Sequence, residues 1–186
     1  IECAPLPLKP RARLYRDGID VLIPSVRRVP PEAVSPRAKS HNYLNLILAD
    51  MEAKSQDPES WAILLDTRGF LTEGIGSNIF TIKDGVIYTP QEQYVLGGIS
   101  RETAIEMAEK IDVPVVTKDI DMFDAMTADE VFLTSTSLCI CGVRSFQGRK
   151  IGNGMAAGPI TKALMDAYVD FVDFDWVGQY LKRLED

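Results

Sequence analysis

Residues 61–89 read WAILLDTRGFLTEGIGSNIFTIKDGVIYT. Trp61–Leu65 is an apolar run of strand length, and Asp66-Thr67-Arg68-Gly69 supplies turn chemistry behind it. Leu71–Phe80, LTEGIGSNIF, is turn-rich and merges into a second strand over Ser77–Ile82. Asp84-Gly85 predicts a tight hairpin into Val86–Thr89, because both residue types tolerate the positive φ such a turn needs. The stretch reads as a β-meander.

Downstream, Ser100 is expected to cap a helix through about Lys110, with Glu102 placed early to complement the helix dipole. Val113–Thr117 and Glu130–Thr134 read as buried strands, separated by a short helix around Met122–Met126. Ile140–Val143 and Arg149–Ile151 form a strand pair around Gln147-Gly148. Pro159 opens a helix to about Phe171, since proline is favoured in a first turn, and Trp176–Leu184 makes a final short helix. Upstream, Asp20–Pro24 is a short extended run whose proline suits an edge strand or a strand end. Pro30, Pro31 and Pro36 mark a linker. Beyond it Tyr43, Leu44, Ile47, Leu48 and Met51 repeat at helical spacing. Strands outnumber helices, hairpins join several of them, and there is no internal repeat. The expected fold class is α+β: a mixed, barrel-like sheet with flanking helices.

The chain has 186 residues, 46% of them hydrophobic, enough for one good core and a second small lobe. Its net charge is -7 with scattered basic residues, which disfavours a nucleic-acid partner. No apolar run nears the roughly 20 residues that span a bilayer, so no membrane partner is expected. Cys3, Cys139 and Cys141 are an odd, sparse set that does not make a disulfide framework. His41 is the single imidazole, so no metal site is expected. A cytoplasmic protein is the simplest expectation. The chain begins at Ile1 without methionine. It reads as the interior of a larger protein, with 1–34 as the end of a largely missing small N-terminal domain and its linker, and 35–186 as a large domain.

The chemistry gathers at four places. Lys39 stands at the entrance to the helical pattern. A lysine keeps its proton to about pH 10.4 and only the neutral amine attacks an aldehyde; desolvation and a helix N-terminus both lower that value. Glu73 precedes Gly74 and Gly76, whose bare backbone lets the chain approach a ligand. Leu96-Gly97-Gly98-Ile99-Ser100-Arg101 sets glycines before a helix N-terminus, where free amides favour an anion. Leu133–Ser137, LTSTS, carries four hydroxyl residues after a strand. Singly, each has a bland counterpart, such as a solvated lysine or a turn glutamate. Together, an amine nucleophile and a fixed acid are what pyridoxal 5'-phosphate (PLP) chemistry asks of a protein.

In their order the motifs resemble the class IV (fold-type IV) PLP-dependent aminotransferases, the family of the branched-chain and D-amino-acid aminotransferases. Lys39-Ser40-His41-Asn42-Tyr43-Leu44 resembles K-x-x-N-(Y/L)-L. Thr72–Phe80 resembles T-E-G-x-x-S-N-x-F, residues 96–101 resemble L-x-G-I-(T/S)-R, and residues 134–136 resemble (S/T)-(G/S)-T. The similarity runs from about Ser35 to about Thr161.

The resemblance implies that 35–186 is the large PLP-binding domain of such an enzyme. Lys39 would be the Schiff-base lysine and proton shuttle, and Glu73 would meet the pyridine nitrogen. Leu96 would pack on the ring, while the Ile99 and Ser100 amides and Thr136 would hold the phosphate. The Thr136–Ser137 amides would face the substrate carboxylate, with Tyr43 lining the pocket. It further implies transamination between an amino donor, branched-chain in its lean, and a 2-oxo acid, in a homodimer. Donor stereochemistry stays open.

This chain departs from the pattern in places. Ile75 stands where a small residue is common, and Cys139-Ile140-Cys141-Gly142-Val143 replaces an acidic-I-T-P-V run. The family's phosphate-binding arginine belongs to the N-terminal region. Both cysteines are expected as packing residues, and Arg101 as a helix-surface charge. Two alternatives share the motifs: an aminodeoxychorismate lyase of the same fold, which eliminates pyruvate, and a binding module without catalysis.

Overall fold

The structure is a computed structural model and describes residues 3–185. It opens with α1 (Leu8–Asp17), β1 (Ile19–Leu22) and, after a proline-marked segment, α2 (Leu44–Gln56). The meander follows as β2 (Trp61–Leu65), β3 (Leu71–Gly74), β4 (Asn78–Lys83) and β5 (Val86–Thr89). Then come α3 (Ile99–Lys110), β6 (Val115–Thr117), α4 (Met122–Met126), β7 (Glu130–Ser135), β8 (Cys139–Phe146) and β9 (Arg149–Lys150). The final helices are α5 (Pro159–Val172) and α6 (Trp176–Leu181).

The strands pair in the order β3-β2-β1-β8-β7-β4, and β4 pairs back onto β3, which closes a six-stranded barrel. β1 lies parallel to both β2 and β8, whereas the other barrel pairs are antiparallel. β5 and β6 extend the sheet beyond β4, and β9 pairs with β8. The sheet is thus mixed and barrel-like, with helices against it. Closure removes open edges from most of the wall. Phe80 on β4 lies opposite Phe132 on β7, and their rings stack at 4.6 Å in the core. The β4–β5 hairpin turns through Asp84 at φ 50 and Gly85 at φ 80, the left-handed pair its Asp-Gly sequence predicts.

Several local expectations are corrected. Leu71–Gly74, expected as turn-rich chain, is strand β3, because its pairing with β2 and β4 is what closes the barrel. β6 is shorter than Val113–Thr117 and half-exposed to exposed, as an edge strand can be. Ser100 is not the cap of α3. The N-cap is Gly98, no side chain caps it, and Ser100 is buried in the first turn. Helix α1 has no counterpart among the expected elements. α2 exists, but its expected apolar face is turned outward: Leu46, Ala49 and Ala53 are buried, whereas Leu44 and Met51 are each 63% exposed.

α5 is held by a buried carboxylate from the barrel. Glu130 on β7 accepts hydrogen bonds from the Ile160 and Thr161 amides at 2.9 and 2.8 Å. These amides belong to the first turn, which has no intrahelical partner for them. Gly158, the N-cap, has room for no side chain there, since a Cβ would stand 2.2 Å from the Glu130 carboxyl carbon.

Candidate active site

Glu73 on β3 lies opposite Asn78 on β4, and Asn78 lies opposite Thr134 on β7. Directly opposed residues share one face of a sheet. The carboxylate, amide and hydroxyl therefore form a polar row across three strands, and all three line one cavity of about 240 Å³. Glu73 is buried, and each of its oxygens accepts one hydrogen bond. Its Oε2 accepts from the Leu96 amide at 2.9 Å and its Oε1 accepts from Nε of Arg28 at 3.0 Å. Burial pushes the Glu73 carboxyl above its ordinary value, while the Leu96 amide, Arg28 and Lys39 all pull it back down.

Lys39 reaches the same cavity from a run of tight turns between Pro36 and α2. It is exposed, and its Nζ stands 3.5 Å from the Tyr43 hydroxyl, a contact at the outer limit of hydrogen bonding. α2 starts only at Leu44, with Tyr43 as its N-cap. Lys39 is therefore not set directly on a helix N-terminus, as the apolar pattern suggests, but in the turns ahead of it. Asn45 ties this helix to the opposite wall. Its Oδ1 accepts from the Val29 amide at 3.1 Å and from Arg28 at 3.5 Å, and its Nδ2 donates to the Arg27 carbonyl at 2.7 Å.

A third side of the cavity is Leu96–Ser100, where α3 begins. Gly98 packs so tightly on Asn78 that a Cβ there would come within 2.5 Å of Asn78 Oδ1. Asn78 in turn donates to the Leu96 carbonyl at 2.9 Å. Thr134–Thr136 completes the lining. The structure thus gathers Lys39, Tyr43, Glu73, Leu96, Ile99, Ser100 and Thr136 around one cavity, and leaves Ser137 just outside its wall.

Arg28, Asn45, Asn78 and Thr134 also belong to the lining, with no role expected for them from the sequence. Asn78 and Thr134 stand inside the quoted motifs. Arg28 has no local signal, because its partner Glu73 is 45 residues away. Arg101 is not a surface charge. It is 1% exposed, donates to Glu102 at 2.6 Å, and leaves Nε and Nη2 without a hydrogen-bond partner among the described residues. Cys141 is buried, with its Sγ 3.4 Å from the Leu14 carbonyl, and burial pushes its thiol far up, which makes it a packing residue. Among the described residues no cluster of three or more His, Cys, Asp or Glu side chains is arranged to hold a metal. Nor is any helix long and apolar enough to cross a membrane.

The family model for amino-transferase class IV matches residues 3–146. The chain belongs to the class IV aminotransferases. The putative branched-chain-amino-acid aminotransferase of Methanocaldococcus jannaschii is 40% identical over 171 residues, covering 91% of this chain and 58% of that protein. The branched-chain-amino-acid aminotransferase of Pseudomonas aeruginosa is 41% identical over 158 residues, covering 84% of this chain and 51% of the other. Among solved structures, a T.th. branched-chain amino acid aminotransferase with pyridoxamine 5'-phosphate superposes with a TM-score of 0.80. It is 34% identical, over 85% of this chain and 52% of that one. The Escherichia coli enzyme gives 0.82 at 32% identity, over 89% and 55%. This class IV chain therefore spans little more than half the length of these relatives.

Class IV enzymes are PLP-dependent, and the residues of this cavity fit that group. The Thr134 hydroxyl is buried with no hydrogen-bond partner among the described residues, and a buried orphan of this kind costs free energy until a ligand fills it. The first turn of α3 offers uncapped amides suited to a phosphate. Glu73 and Lys39 line the same cavity, and are a carboxylate that would suit a ring nitrogen and an amine that would suit an aldehyde.

Proposed function

We propose that the intact protein transfers the amino group of a branched-chain-like amino acid to a 2-oxo acid, with PLP held in this cavity. The observation that carries the reading is that Lys39 and Glu73 line the same cavity, although they sit on different elements. What favours transfer over the lyase alternative is that the relatives and solved structures named above are branched-chain aminotransferases. The same names support the branched-chain lean.

When bound, PLP supplies an electron sink for negative charge at the substrate Cα. Lys39 carries the amine that would hold the cofactor aldehyde, and its free amine would move the proton at the substrate Cα. Glu73, whose charged form the Leu96 amide and Arg28 favour against the cost of burial, would meet the ring nitrogen and favour its protonated form. Leu96 packs on the ring. The Ile99 and Ser100 amides and the Thr136 hydroxyl would hold the phosphate. Tyr43 stands beside the Lys39 amine, and the Thr136–Ser137 amides receive the substrate carboxylate.

A second copy belongs to the same reading. α2 buries Leu46 and Ala49 inward and presents Leu44, Ile47, Leu48 and Met51 outward. A helix apolar on both sides belongs between two surfaces, which supports a homodimer.

The test is to supply the intact protein with an L-branched-chain donor, with and without a 2-oxo acid acceptor. Sustained turnover that requires the acceptor supports transamination. Turnover without acceptor, releasing pyruvate from a suitable substrate, would establish the lyase instead.

A further inference from the structure

The turn between β7 and β8 carries Thr136 and Ser137, and its shape is held from behind. Ser135 pairs with Cys139 across the ladder, so residues 136–138 form a three-residue connection. Such connections ordinarily place glycine where the chain turns left-handed. Here the left-handed residue is Cys139, just after the connection, at φ 53, a conformation that a side chain disfavours. Within the turn, the Leu138 amide donates to Ser135, at 3.2 Å from its carbonyl and 3.1 Å from its hydroxyl.

Two buried tyrosines supply the remaining hold. The Tyr180 hydroxyl on α6 donates to the Ser137 carbonyl at 2.6 Å, and the Tyr15 hydroxyl on α1 donates to the Leu138 carbonyl at 2.6 Å. The two rings stack on each other at 4.7 Å, and Trp176 meets the Tyr15 ring edge-on at 5.4 Å. The two phenols therefore pack directly on each other. Burial pushes the Tyr15 phenol far up, so it stays a donor at every physiological pH. Each bond fixes a peptide plane. The Ser137 carbonyl shares its peptide group with the Leu138 amide, which points back into the turn at Ser135, so the bonds fix the backbone immediately after Thr136 and Ser137.

We propose that Tyr15 and Tyr180 are positioning residues that hold the Thr136–Ser137 turn in the shape that receives the cofactor phosphate. The inference rests on the class IV reading of that turn, and it assigns a role to two helices that contribute no lining to the cavity. Helices α1 and α6 lie near opposite ends of the described chain, so the two ends meet behind one binding turn.

The experiment compares Tyr180→Phe and Tyr15→Phe/Tyr180→Phe with Tyr168→Phe in the intact protein. Tyr168 belongs to the same cluster, its ring 6.3 Å from Trp176, and serves as a packing control. Two quantities are measured: the dissociation constant of PLP by absorbance titration, and hydrogen exchange at the amides of residues 134–139. Loss of one buried hydrogen bond is expected to weaken PLP binding by about tenfold. Tyr180→Phe should show that weakening with faster exchange in the turn, the double variant should show more, and Tyr168→Phe neither. Unchanged affinity and exchange in Tyr180→Phe, whatever its melting temperature does, overturns the proposal and leaves the tyrosines as packing. If the double variant does not fold, the single Tyr180→Phe decides, since it keeps the Tyr15 bond. A wild-type protein that binds no PLP overturns the class IV reading of the turn and the proposal with it; a wild type that binds while Tyr180→Phe binds equally well overturns the proposal alone.

Discussion

Arg28 donates from Nε to Oε1 of Glu73 at 3.0 Å, and the two side chains are only 12% and 7% exposed. This pair crosses from the segment before the Lys39 turns to the barrel wall. Removing one partner from a buried pair leaves an uncompensated charge, which costs roughly 3 kcal/mol or more. Arg28→Met should therefore lower unfolding stability by about that amount at neutral pH, as read by urea titration. Arg28→Lys should recover part of the loss.

The pH dependence of the same pair has a definite sign. Glu73 already titrates above its ordinary value because burial opposes its charge. A carboxyl raised in the folded state makes folding less favourable as pH rises from the unfolded value through the folded one. Arg28 limits that loss by favouring the anion. The stability gap between wild type and Arg28→Met should widen as pH rises through this window and narrow below it. In Glu73→Gln the wild-type decline across the window should vanish. A gap independent of pH would show that Arg28 acts through packing alone.

Much of this is legible in the sequence, and the exceptions share a cause. The strands of residues 61–89 and the Asp84-Gly85 hairpin depend on local alternation and local turn chemistry, so they can be read directly. α1 is hidden by Pro7, Pro10 and its many basic residues, although proline is tolerated in a first turn. It is a helix because Ala12 and Tyr15 bury against the rest of the protein. Glu73 looks like a turn residue because only pairing with distant strands makes it part of β3. The cavity's motif residues are visible as motifs, whereas Arg28 and the polar row Glu73–Asn78–Thr134 depend on register between strands. No single stretch carries that information.

The cap on α5 gives a stability prediction independent of function. Glu130→Ala removes the acceptor for two first-turn amides, one buried and one half-buried, at a cost of about 2 kcal/mol. The melting temperature should fall, with PLP affinity preserved in the protein that remains folded. Gly158→Ala should also destabilise, because its methyl would meet the Glu130 carboxyl group.

The outward face of α2 predicts assembly behaviour. Leu48→Glu places a charge in the apolar stripe without touching Leu46 or Ala49, which face inward. Sedimentation of the intact protein should show a dimer for wild type and a shift to monomer for this variant, with the circular dichroism spectrum retained. A variant that remains fully dimeric would place the dimer contact elsewhere.

The central claim is that the Lys39 amine and the Glu73 carboxylate grip one PLP molecule from two sides. The most direct measurement is to load the intact protein with PLP, reduce it with borohydride, and locate the phosphopyridoxyl label by peptide mass spectrometry. The account predicts one label per chain, on Lys39, and none in Lys39→Ala. A label on another lysine, or an unlabelled Lys39 in a protein that has taken up PLP, would contradict it.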